Sequence, residues 1–467
     1  MESASQLRSH DDVPAAMPHT GFGFLARIAP QLVRGRVDFI FDAWRRHGDL
    51  YELRLGPLKV VMVNHPEHVG HILRGQARKY EKGGPMWEAL RTLLGDGLVT
   101  SDGDVWRRRR RMLQPHFARD RLADLVPAIA EAVTDEFERA WPDRGRGTQV
   151  LDMEPAFSRM TMSVVVKAMF GMDLRAEDAD DMVEALSYVV HQLVREMMFD
   201  QLPDKLPFPH GKRYRAMLAR LDDYLFRTIA SRRSEGAGGH DLLSMLCRAR
   251  DDVTGKPLTE RQIRDEVATF FVAGYETTAS SVAWTAYLLA THPDIQARVR
   301  AEAQGALESA RASSDGPPGN TNLLSRLPYT GQVLHEGLRL YPPSYFFPRS
   351  VATDDVIDGI PIPAGRTVFL LPLTVHRHPD FWPDPERFDP ARFEAGRERH
   401  PTAWIPFGSG QRHCIGREFA VLEAVLIMAG LVERYHLRAV PARPAQMGLS
   451  TTLRSRDGVW VELRPNR

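Results

Sequence analysis

The pattern of apolar and polar positions predicts a chain that is mainly helical. From Arg121 to Ala230, apolar residues recur at the spacing of amphipathic helices, with an interruption at the proline-rich segment 202–209. A second helical pattern runs without a break from about Thr259 to Thr291. Strand signals are short and scattered. We therefore expect a mainly α fold with small β-sheets, in the α+β class.

The strand signals lie near the two ends of the chain. Tyr51 to Val63 reads as two short strands around Gly56-Pro57, and His65-Pro66 then opens a helix. Near the C-terminus, Arg454 to Leu463 predicts a hairpin around Asp457-Gly458.

Two segments rich in Gly, Ser and Pro, 231–240 and 309–322, are predicted loops. Composition does not change across either loop, so we expect one large domain at 38–467, after a polar segment and lead-in at 1–37. Within that lead-in, residues 1–19 hold no apolar run long enough for a signal peptide or a membrane anchor. No transmembrane segment is expected.

Composition narrows the possible functions. The chain is 43% hydrophobic over 467 residues, enough for a substantial core. A formal net charge of +1 argues against a nucleic-acid or membrane-surface binder. With Cys247 and Cys414 as the two cysteines, no disulfide framework is possible, which fits a reducing cytoplasm. Cys247 lies in an amphipathic helical pattern and is predicted to pack in the core.

Cys414 lies in a glycine-rich stretch, Phe407 to Gly416, that favours a ligand role for its sulfur. Glycines let the backbone approach a bulky flat group or turn N–H groups toward a thiolate. No His or acid lies two or three residues away, which argues against a tetrahedral zinc site. A single thiolate suits an axial bond to heme iron. The alternative is a buried cysteine in a turn before a helix.

The central helical pattern contains Ala273-Gly-Tyr-Glu-Thr-Thr278, where Gly and Thr are poor choices for a helix interior. A Thr hydroxyl can bond back to the carbonyl four residues earlier and bend the helix. Glu276 beside Thr277 can pass protons into an apolar pocket. A packing kink without chemistry is the alternative.

Two charged patterns remain. Glu336 and Arg339 lie on one helix face among apolar neighbours, which favours partial burial over an exposed pair. Trp106 precedes five consecutive arginines, 107–111, whose side chains cannot share one helix face because successive residues point about 100° apart. The near-neutral net charge also weakens a nucleic-acid interpretation of this run.

Four segments, in order along the chain, resemble the motifs of the cytochrome P450 family. Residues 273–277 match Ala/Gly-Gly-x-Asp/Glu-Thr, and Glu336 to Arg339 match Glu-x-x-Arg. Pro385 to Phe388 match Pro-Glu-Arg-Phe, and residues 407–416 match Phe-x-x-Gly-x-Arg-x-Cys-x-Gly. The resemblance covers about Phe39 to the C-terminus. It implies the cytochrome P450 fold and a heme b cofactor with Cys414 as the iron ligand.

The resemblance also implies roles for individual residues. Thr277 would hold bound dioxygen and Glu276 would relay protons, although the family more often has Asp at that position. Glu336, Arg339 and Arg387 would form a structural triad on the thiolate side of the heme. The remaining implied cofactor-binding residues are Trp106, Arg110, Arg349 and Arg412, as donors to the propionates, with Phe407, Gly408 and Gly416 in the loop. His376 and His413 are expected to be structural or surface residues.

By position in the family, the substrate pocket would be formed mostly by aromatic and thioether side chains, which implies an apolar ligand. The candidates are Met86, Trp87, Met197, Met198, Phe199, Phe270, Ala273, Tyr345, Phe346 and Phe347. A terpenoid, a steroid, a macrocycle and a fatty acid all remain open.

The expected activity is that of a cytoplasmic heme-thiolate monooxygenase, which hydroxylates or epoxidises its substrate with dioxygen. No flavin or iron–sulfur segment follows the heme loop, so electrons are expected from NAD(P)H through an external reductase and a ferredoxin or flavodoxin. Arg107, Arg108 and Arg111 are candidates for docking that donor. The alternatives are a peroxide-driven or isomerising heme-thiolate enzyme, or a non-catalytic heme sensor.

Overall fold

Helices make up most of the residues that the structure describes, as the apolar spacing predicts. The structure is a computed structural model. It describes residues 17–21, 23–24, 30–31, 34–55, 58–141, 147–172, 176–199, 211–236, 238–239, 241–312 and 325–466.

The helices and strands are numbered in chain order. The helices are α1 Asp38–His47, α2 Pro66–Gly70, α3 Pro85–Leu94, α4 Gly103–Leu113, α5 Arg119–Ala140, α6 Met153–Phe170, α7 Ala176–Phe199, α8 Gly211–Ser234, α9 Leu242–Arg248, α10 Glu260–Thr291, α11 Pro293–Ala312, α12 Pro328–Leu340, α13 Pro372–Val375 and α14 Arg417–Arg434. The strands are β1 Leu50–Leu55, β2 Leu58–Val63, β3 Tyr80–Glu81, β4 Gln149–Asp152, β5 Phe347–Val351, β6 Asp355–Ile357, β7 Ile360–Ile362, β8 Thr367–Leu370, β9 Tyr435–Ala439, β10 Met447–Gly448, β11 Arg454–Ser455 and β12 Trp460–Pro465.

The chain forms two compact units. The first comprises Met1–Gly84, Phe346–Pro385 and Arg399–His413. Its five-stranded sheet has the order β1-β2-β8-β5-β3, with β2 and β8 parallel and the other neighbours antiparallel. Val63, Ile72 and Leu370 belong to the hydrophobic core beside this sheet and are fully buried. The sheet sets the position of Arg349, which pairs with Val368 in the register of β5 and β8.

The second unit comprises Pro85–Tyr345, Glu386–Glu398 and Cys414–Arg467, and is built around α10. A capping box of Thr259 and Gln262 starts this helix. Two close approaches bring other helices against it: a Cβ at Gly274 would lie 2.8 Å from Val165 of α6, and one at Gly337 of α12 would lie 2.6 Å from Thr285. Small residues therefore let α10 be buried along most of its length.

Several expectations about the elements are confirmed. Strands β1 and β2 pair across the predicted hairpin. His65 caps α2, and α10 spans the predicted central helix.

No helix in the part of the chain that the structure describes is long and apolar enough to cross a membrane.

Three expectations are wrong, the first two because pairing between distant strands overrides the local sequence pattern. Residues 454–463 do not form a hairpin: β11 pairs with β10, whereas β12 pairs with β4 and β9. Strand β4 was not predicted within the helical region. Cys247 is half-buried on α9 instead of fully buried. The predicted proline-rich break at 202–209 and residues 313–322 of a predicted loop lie outside the described residues.

Candidate active site

The glycine-rich loop needs glycine for two separate reasons. Gly408 and Gly410 have φ values of 69° and 67°, in the left-handed region that other residues rarely adopt. A Cβ at Gly410 would in addition overlap the carbonyl oxygen of Leu73. The loop is therefore pressed against neighbouring backbone within the first unit. His413 closes the turn, its ring Nδ1 lying 2.9 Å from the carbonyl oxygen of Gly410.

Cys414 combines an accessible surface with a desolvated sulfur. The residue is exposed, yet burial among protein atoms raises the pKa of its thiol. A hydrogen bond from the backbone N–H of Gly416 and the charges of Arg110 and Arg417 act in the opposite direction. A residue that has accessible surface although protein atoms surround its sulfur has the properties of a residue in a cavity wall. A buried sulfur with one N–H donor and an open side fits a thiolate ligand to heme iron.

Helix α4 carries two of the predicted propionate donors on one face. Trp106 is 8% exposed, and Arg110, four residues later, is half-buried. Burial lowers the pKa of Arg110, and the nearby Cys414 sulfur partly offsets this. The helix is anchored by Arg109, whose Nη1 donates to Glu266 Oε1 of α10 at 2.6 Å. This buried ion pair, which sequence reasoning missed, fixes the rotation of α4.

Arg349 and Arg412, in the first unit, are desolvated cations. Burial lowers the pKa of each guanidinium to about 10. Arg349 is only 9% exposed and donates from Nη1 to the carbonyl of Pro348 at 2.7 Å. Because burial disfavours a charge, an anion beside either guanidinium would be stabilising. This chemistry fits a carboxylate such as a heme propionate. The expectation that His376 is structural is confirmed, since its Nε2 accepts the N–H of Ile405 at 2.8 Å.

Helix α10 has an accessible stripe in an otherwise buried surface. Ala273 is exposed and Thr277, one turn later, is partly exposed, whereas Phe271 and Tyr275 are buried. The hydroxyl of Thr277 donates to the carbonyl oxygen of Ala273 at 2.7 Å, which is the predicted back-bond. Its oxygen remains able to accept a further hydrogen bond. The stripe has the form expected of a cavity wall that carries an alcohol.

Glu276 lies next to this stripe and is held by the C-terminal segment. Its side chain is 3% exposed, and its Oε1 accepts from Thr452 Oγ1 at 3.0 Å and lies 3.2 Å from Arg454 Nη2. Among the described residues, Oε2 has no hydrogen-bond partner. Thr452 and Arg454 were missed because no motif marks them; Arg454 has only its charge as a signal in the sequence. Thr452 is 176 positions from Glu276 in the sequence, so only the tertiary fold brings the two side chains together.

The structural triad is present in a different form. Arg339 donates from Nε and Nη2 to the two carboxylate oxygens of Glu336, at 2.7 and 2.8 Å, and neither side chain is exposed. Arg387 is exposed and contributes its backbone carbonyl, which accepts from Arg339 Nη2 at 3.0 Å. The second arginine beside Glu336 is Arg392, whose Nε lies 3.4 Å from Oε1. The predicted role of the Arg387 side chain is therefore corrected: it faces solvent.

Glu423 on α14 is a further buried carboxyl that sequence reasoning missed. It has no exposed surface, and neither of its oxygens has a hydrogen-bond partner among the described residues. Burial raises its pKa well above the ordinary value, and the nearby Thr278 hydroxyl on α10 opposes this rise. Burial therefore favours the neutral form of this carboxyl. Its position in an apolar helix pattern gave no sign of this.

The predicted substrate residues divide into three groups. Ala273 is exposed, and Met86, Phe346 and Phe347 are half-buried, as a pocket lining would be. Trp87, Phe270 and Tyr345 are buried at 6–8% exposure. The side chains of Met197, Met198 and Phe199 lie outside the described residues.

Phe270 and Tyr345 each make a contact within the second unit. The Phe270 ring stacks on Phe117 with centroids 5.4 Å apart. The Tyr345 hydroxyl donates to the carbonyl of Ser450 at 2.8 Å. Both side chains belong to the core of the second unit.

Comparison with known proteins identifies the family. The family model for cytochrome P450 matches residues 17–457. The chain is 36% identical to cyclooctat-9-en-7-ol 5-monooxygenase of Streptomyces melanosporofaciens, over 85% of this chain and 84% of that protein. It is 33% identical to pentalenene oxygenase of Streptomyces avermitilis, over 92% and 91%.

A solved structure agrees with this. The crystal structure of the cytochrome P450DA heme domain matches with a TM-score of 0.82 and 28% identity, over 97% of this chain and 98% of that one. The chain therefore belongs to the cytochrome P450 family, and it is a heme monooxygenase that inserts one oxygen atom from dioxygen into an apolar substrate with electrons from a redox partner.

Proposed function

We propose that this chain oxidises a cyclic terpenoid, with Cys414 as the heme ligand and with Thr277 and Glu276 as the proton-handling groups. The observation that carries the proposal is the accessible stripe of Ala273 and Thr277 in the middle of a buried helix, with Glu276 beside it. Relatives named for cyclooctat-9-en-7-ol and for pentalenene support the terpenoid class. A small residue at 273 leaves room for a bulky ring system.

The heme would be held by residues with matching chemistry. The Cys414 thiolate would bind the iron, supported by the N–H of Gly416, with Phe407 and Gly408 in the same loop. Trp106, Arg110, Arg349 and Arg412 would donate hydrogen bonds to the propionates. When bound, the heme supplies the activation of dioxygen with two electrons from outside.

The chain's own part in the reaction is the delivery of protons. Glu276 Oε1 is fixed by Thr452 and Arg454, so we assign the mobile proton to Oε2. The Thr277 hydroxyl, which already donates to Ala273, would accept a hydrogen bond from a water molecule in the pocket and hold it in place. A positioned acid of this kind contributes about 10²–10⁴-fold to a rate.

The electron donor is proposed to be a ferredoxin or a flavodoxin that docks on the basic side of α4. Arg107 and Arg111 are exposed there, with side chains 59% and 74% accessible. Among the described residues, their ion-pair partners are the surface carboxylates of Asp104 and Asp252 respectively, so both arginines remain available to an acidic protein. The cytoplasm is the proposed location, since two cysteines without a disulfide suit a reducing compartment.

The heme assignment is tested by Cys414→Ser. The reduced carbon-monoxide complex of the wild type should have the red-shifted Soret band of a thiolate ligand, and the variant should lack it. Cys247→Ser is the matched control and should keep the band. A band that persists in the Cys414 variant contradicts the ligand assignment.

The substrate class is tested by adding cyclic terpenes and terpene alcohols to the ferric protein and following the displacement of iron-bound water by its spectrum. Compounds that bind are then incubated with NADPH, a surrogate ferredoxin and its reductase. An oxygenated terpenoid supports the proposal. Turnover only with peroxide favours the peroxide-driven alternative, and binding of fatty acids or steroids without terpenoids overturns the substrate class.

A further inference from the structure

Three side chains with metal-binding chemistry converge in the first unit, on residues that no step of the oxygenation uses. Asp49 follows α1, His65 precedes α2, and His378 follows α13. One potential ligand atom of each lies within 4.8 Å of the others. We propose that Asp49, His65 and His378 bind one Zn²⁺ ion, with water in the fourth position.

The negative charge of the Asp49 carboxylate favours a cation at this cluster. Within the described residues, no lysine or arginine lies within ion-pair distance of Asp49. Its carboxylate instead faces two imidazoles, with His378 Nε2 at 3.4 Å from Oδ1. The Trp44 and His378 side chains leave room for further ligation of this carboxylate. A divalent ion bound by all three side chains would add its positive charge to this cluster.

The neighbours already orient the three side chains. The indole N–H of Trp44 donates to Asp49 Oδ1 at 2.8 Å. The Phe381 ring lies 5.3 Å from the His65 ring and 5.4 Å from the His378 ring, measured between centroids. A carboxylate held by an outer donor and imidazoles held by an apolar ring are the supports that metal sites use.

The ring nitrogens show which atoms would bind. Nδ1 of His65 accepts the N–H of Glu67 at 3.2 Å, and Nδ1 of His378 accepts the N–H of Asp380 at 3.3 Å. Both Nε2 atoms are left for the centre, and that of His65 makes no hydrogen bond among the described residues. Zinc at Nε2 requires each ring proton to move to Nδ1, which then can no longer accept the N–H of Glu67 or Asp380. Zinc binding therefore has to offset the loss of two long, weak hydrogen bonds, one of them the cap of α2, with two Zn–N bonds.

The donor set suits zinc. Two imidazoles and one carboxylate, with water in the fourth position, form a tetrahedral zinc site. Bonds of about 2.0–2.1 Å require ligand atoms about 3.3 Å apart, so binding would draw the three atoms together from their present separations. The ion would therefore cross-link three segments that are distant in sequence. Its role in the first unit would be structural.

The test is zinc titration of the heme-loaded full chain without an affinity tag, after treatment with a chelator. A competing chromogenic chelator reports stoichiometry and affinity. We expect one equivalent of Zn²⁺ to bind with micromolar or tighter affinity and to raise the melting temperature. His65→Gln and His378→Gln should each weaken binding by more than about 100-fold, the upper end of what loss of an outer-shell partner costs.

His71→Gln is the matched control, since it removes another imidazole next to a carboxylate. His71 Nε2 lies 2.8 Å from Asp355, which Lys79 already neutralises at 2.8 Å. This variant should bind zinc like the wild type. X-ray absorption at the zinc edge of the wild type should show two imidazole ligands whether or not the variants fold. Absence of a micromolar site, equal binding by the His65 and His378 variants, or a spectrum without two imidazoles overturns the proposal.

Discussion

Glu336 and Glu276 are both buried glutamates paired with an arginine, but their carboxylates are used differently. Both oxygens of Glu336 are engaged: Arg339 binds them bidentately, and the N–H of Asp389 adds a third hydrogen bond at 2.9 Å. Both described contacts of Glu276 go to Oε1. The Glu336–Arg339 pair has no exposed surface, whereas the Arg454 side chain is 15% exposed.

The difference separates a scaffold from a reactive group. Because both oxygens of Glu336 are held by hydrogen bonds, this carboxylate is suited to holding α12 and the 386–398 segment in place. Glu276 keeps one oxygen for exchange next to an accessible alcohol. The type of residue pair is therefore not enough to assign a role. The role of each glutamate depends on which of its carboxylate oxygens are hydrogen-bonded and on whether accessible surface lies beside it.

Removal of Arg339 should have the most severe consequence. Arg339→Ala strands the carboxylate of Glu336 in the protein interior, and we expect a loss of about 3–5 kcal/mol in the free energy of unfolding. Little heme-containing protein should accumulate. The measurement is the denaturant midpoint, together with the yield of the carbon-monoxide complex.

Arg387→Ala is the control, because that side chain is exposed and only its backbone carbonyl touches Arg339. It should change stability by less than about 0.5 kcal/mol. Equal destabilisation by the Arg387 and Arg339 variants would restore the side-chain triad that the motif implied.

Replacement of Glu276 should leave the fold intact and slow the chemistry. Glu276→Gln keeps the size of the side chain and an acceptor for Thr452 but cannot carry the proton. We expect product formation to fall by about 10²-fold or more, with substrate binding unchanged and a larger solvent isotope effect. Unchanged turnover would place Glu276 with Glu336 as a scaffold residue. Thr452→Val is the matched control, since it removes one hydrogen bond to Oε1 and keeps the acid.

The sequence motifs located both glutamates but not the partners that distinguish them. The motifs located Cys414, Glu276 and Glu336, since each is tied to fixed neighbours within ten residues. The partners that distinguish the two glutamates, Arg454 and Arg392, carry no local signal. They are supplied by segments that only the tertiary fold brings near.

The elements of the fold divide in the same way, into those set by local pattern and those set by long-range pairing. Helix α10 was predicted to within a residue because its pattern and its capping box are local. The pairing of β11 and β12 was predicted wrongly, since a turn signal at Asp457-Gly458 does not specify which strands each side will meet. Long-range pairing is decided by packing, not by the turn.

Glu154 on α6 provides a pH test of the Glu276 region, because it shares Arg454 with Glu276. Burial raises the pKa of Glu154 from 4.5 to about 7, although a hydrogen bond from Ser455 and the charge of Arg454 oppose this. The folded protein thus binds more protons than the unfolded chain between these values. The stability contribution is fully present below pH 4.5 and is lost as pH rises through about 7.

Relative to Glu154→Gln, the wild type should therefore lose up to about 3 kcal/mol of stability between pH 5 and pH 8. The measurement is the denaturant midpoint of both proteins at several pH values. A constant difference between them would mean that Glu154 is ionised throughout and that Arg454 serves both carboxylates.

The exposed ion pair of Arg107 and Asp104 on α4 should have the smallest effect on stability, because a solvated ion pair contributes little to it. Arg107→Glu should leave the denaturant midpoint nearly unchanged. At low salt it should slow reduction by the ferredoxin a few-fold, because exposed charges steer association. The rates of variant and wild type should converge as salt shortens the range of the interaction to about 10 Å at 0.1 M.

Arg45→Glu separates docking from a general change in charge. Arg45 forms the same kind of exposed pair, with Asp42 three residues earlier on α1, and its side chain is 69% accessible. Both reversals alter the net charge by the same amount, so an effect of Arg107 alone assigns the docking face to α4. Equal slowing by the two variants would indicate attraction by the whole protein. No slowing by either would remove α4 from the electron-transfer interface and leave Arg109, which binds Glu266, as the arginine of this run with an assigned role.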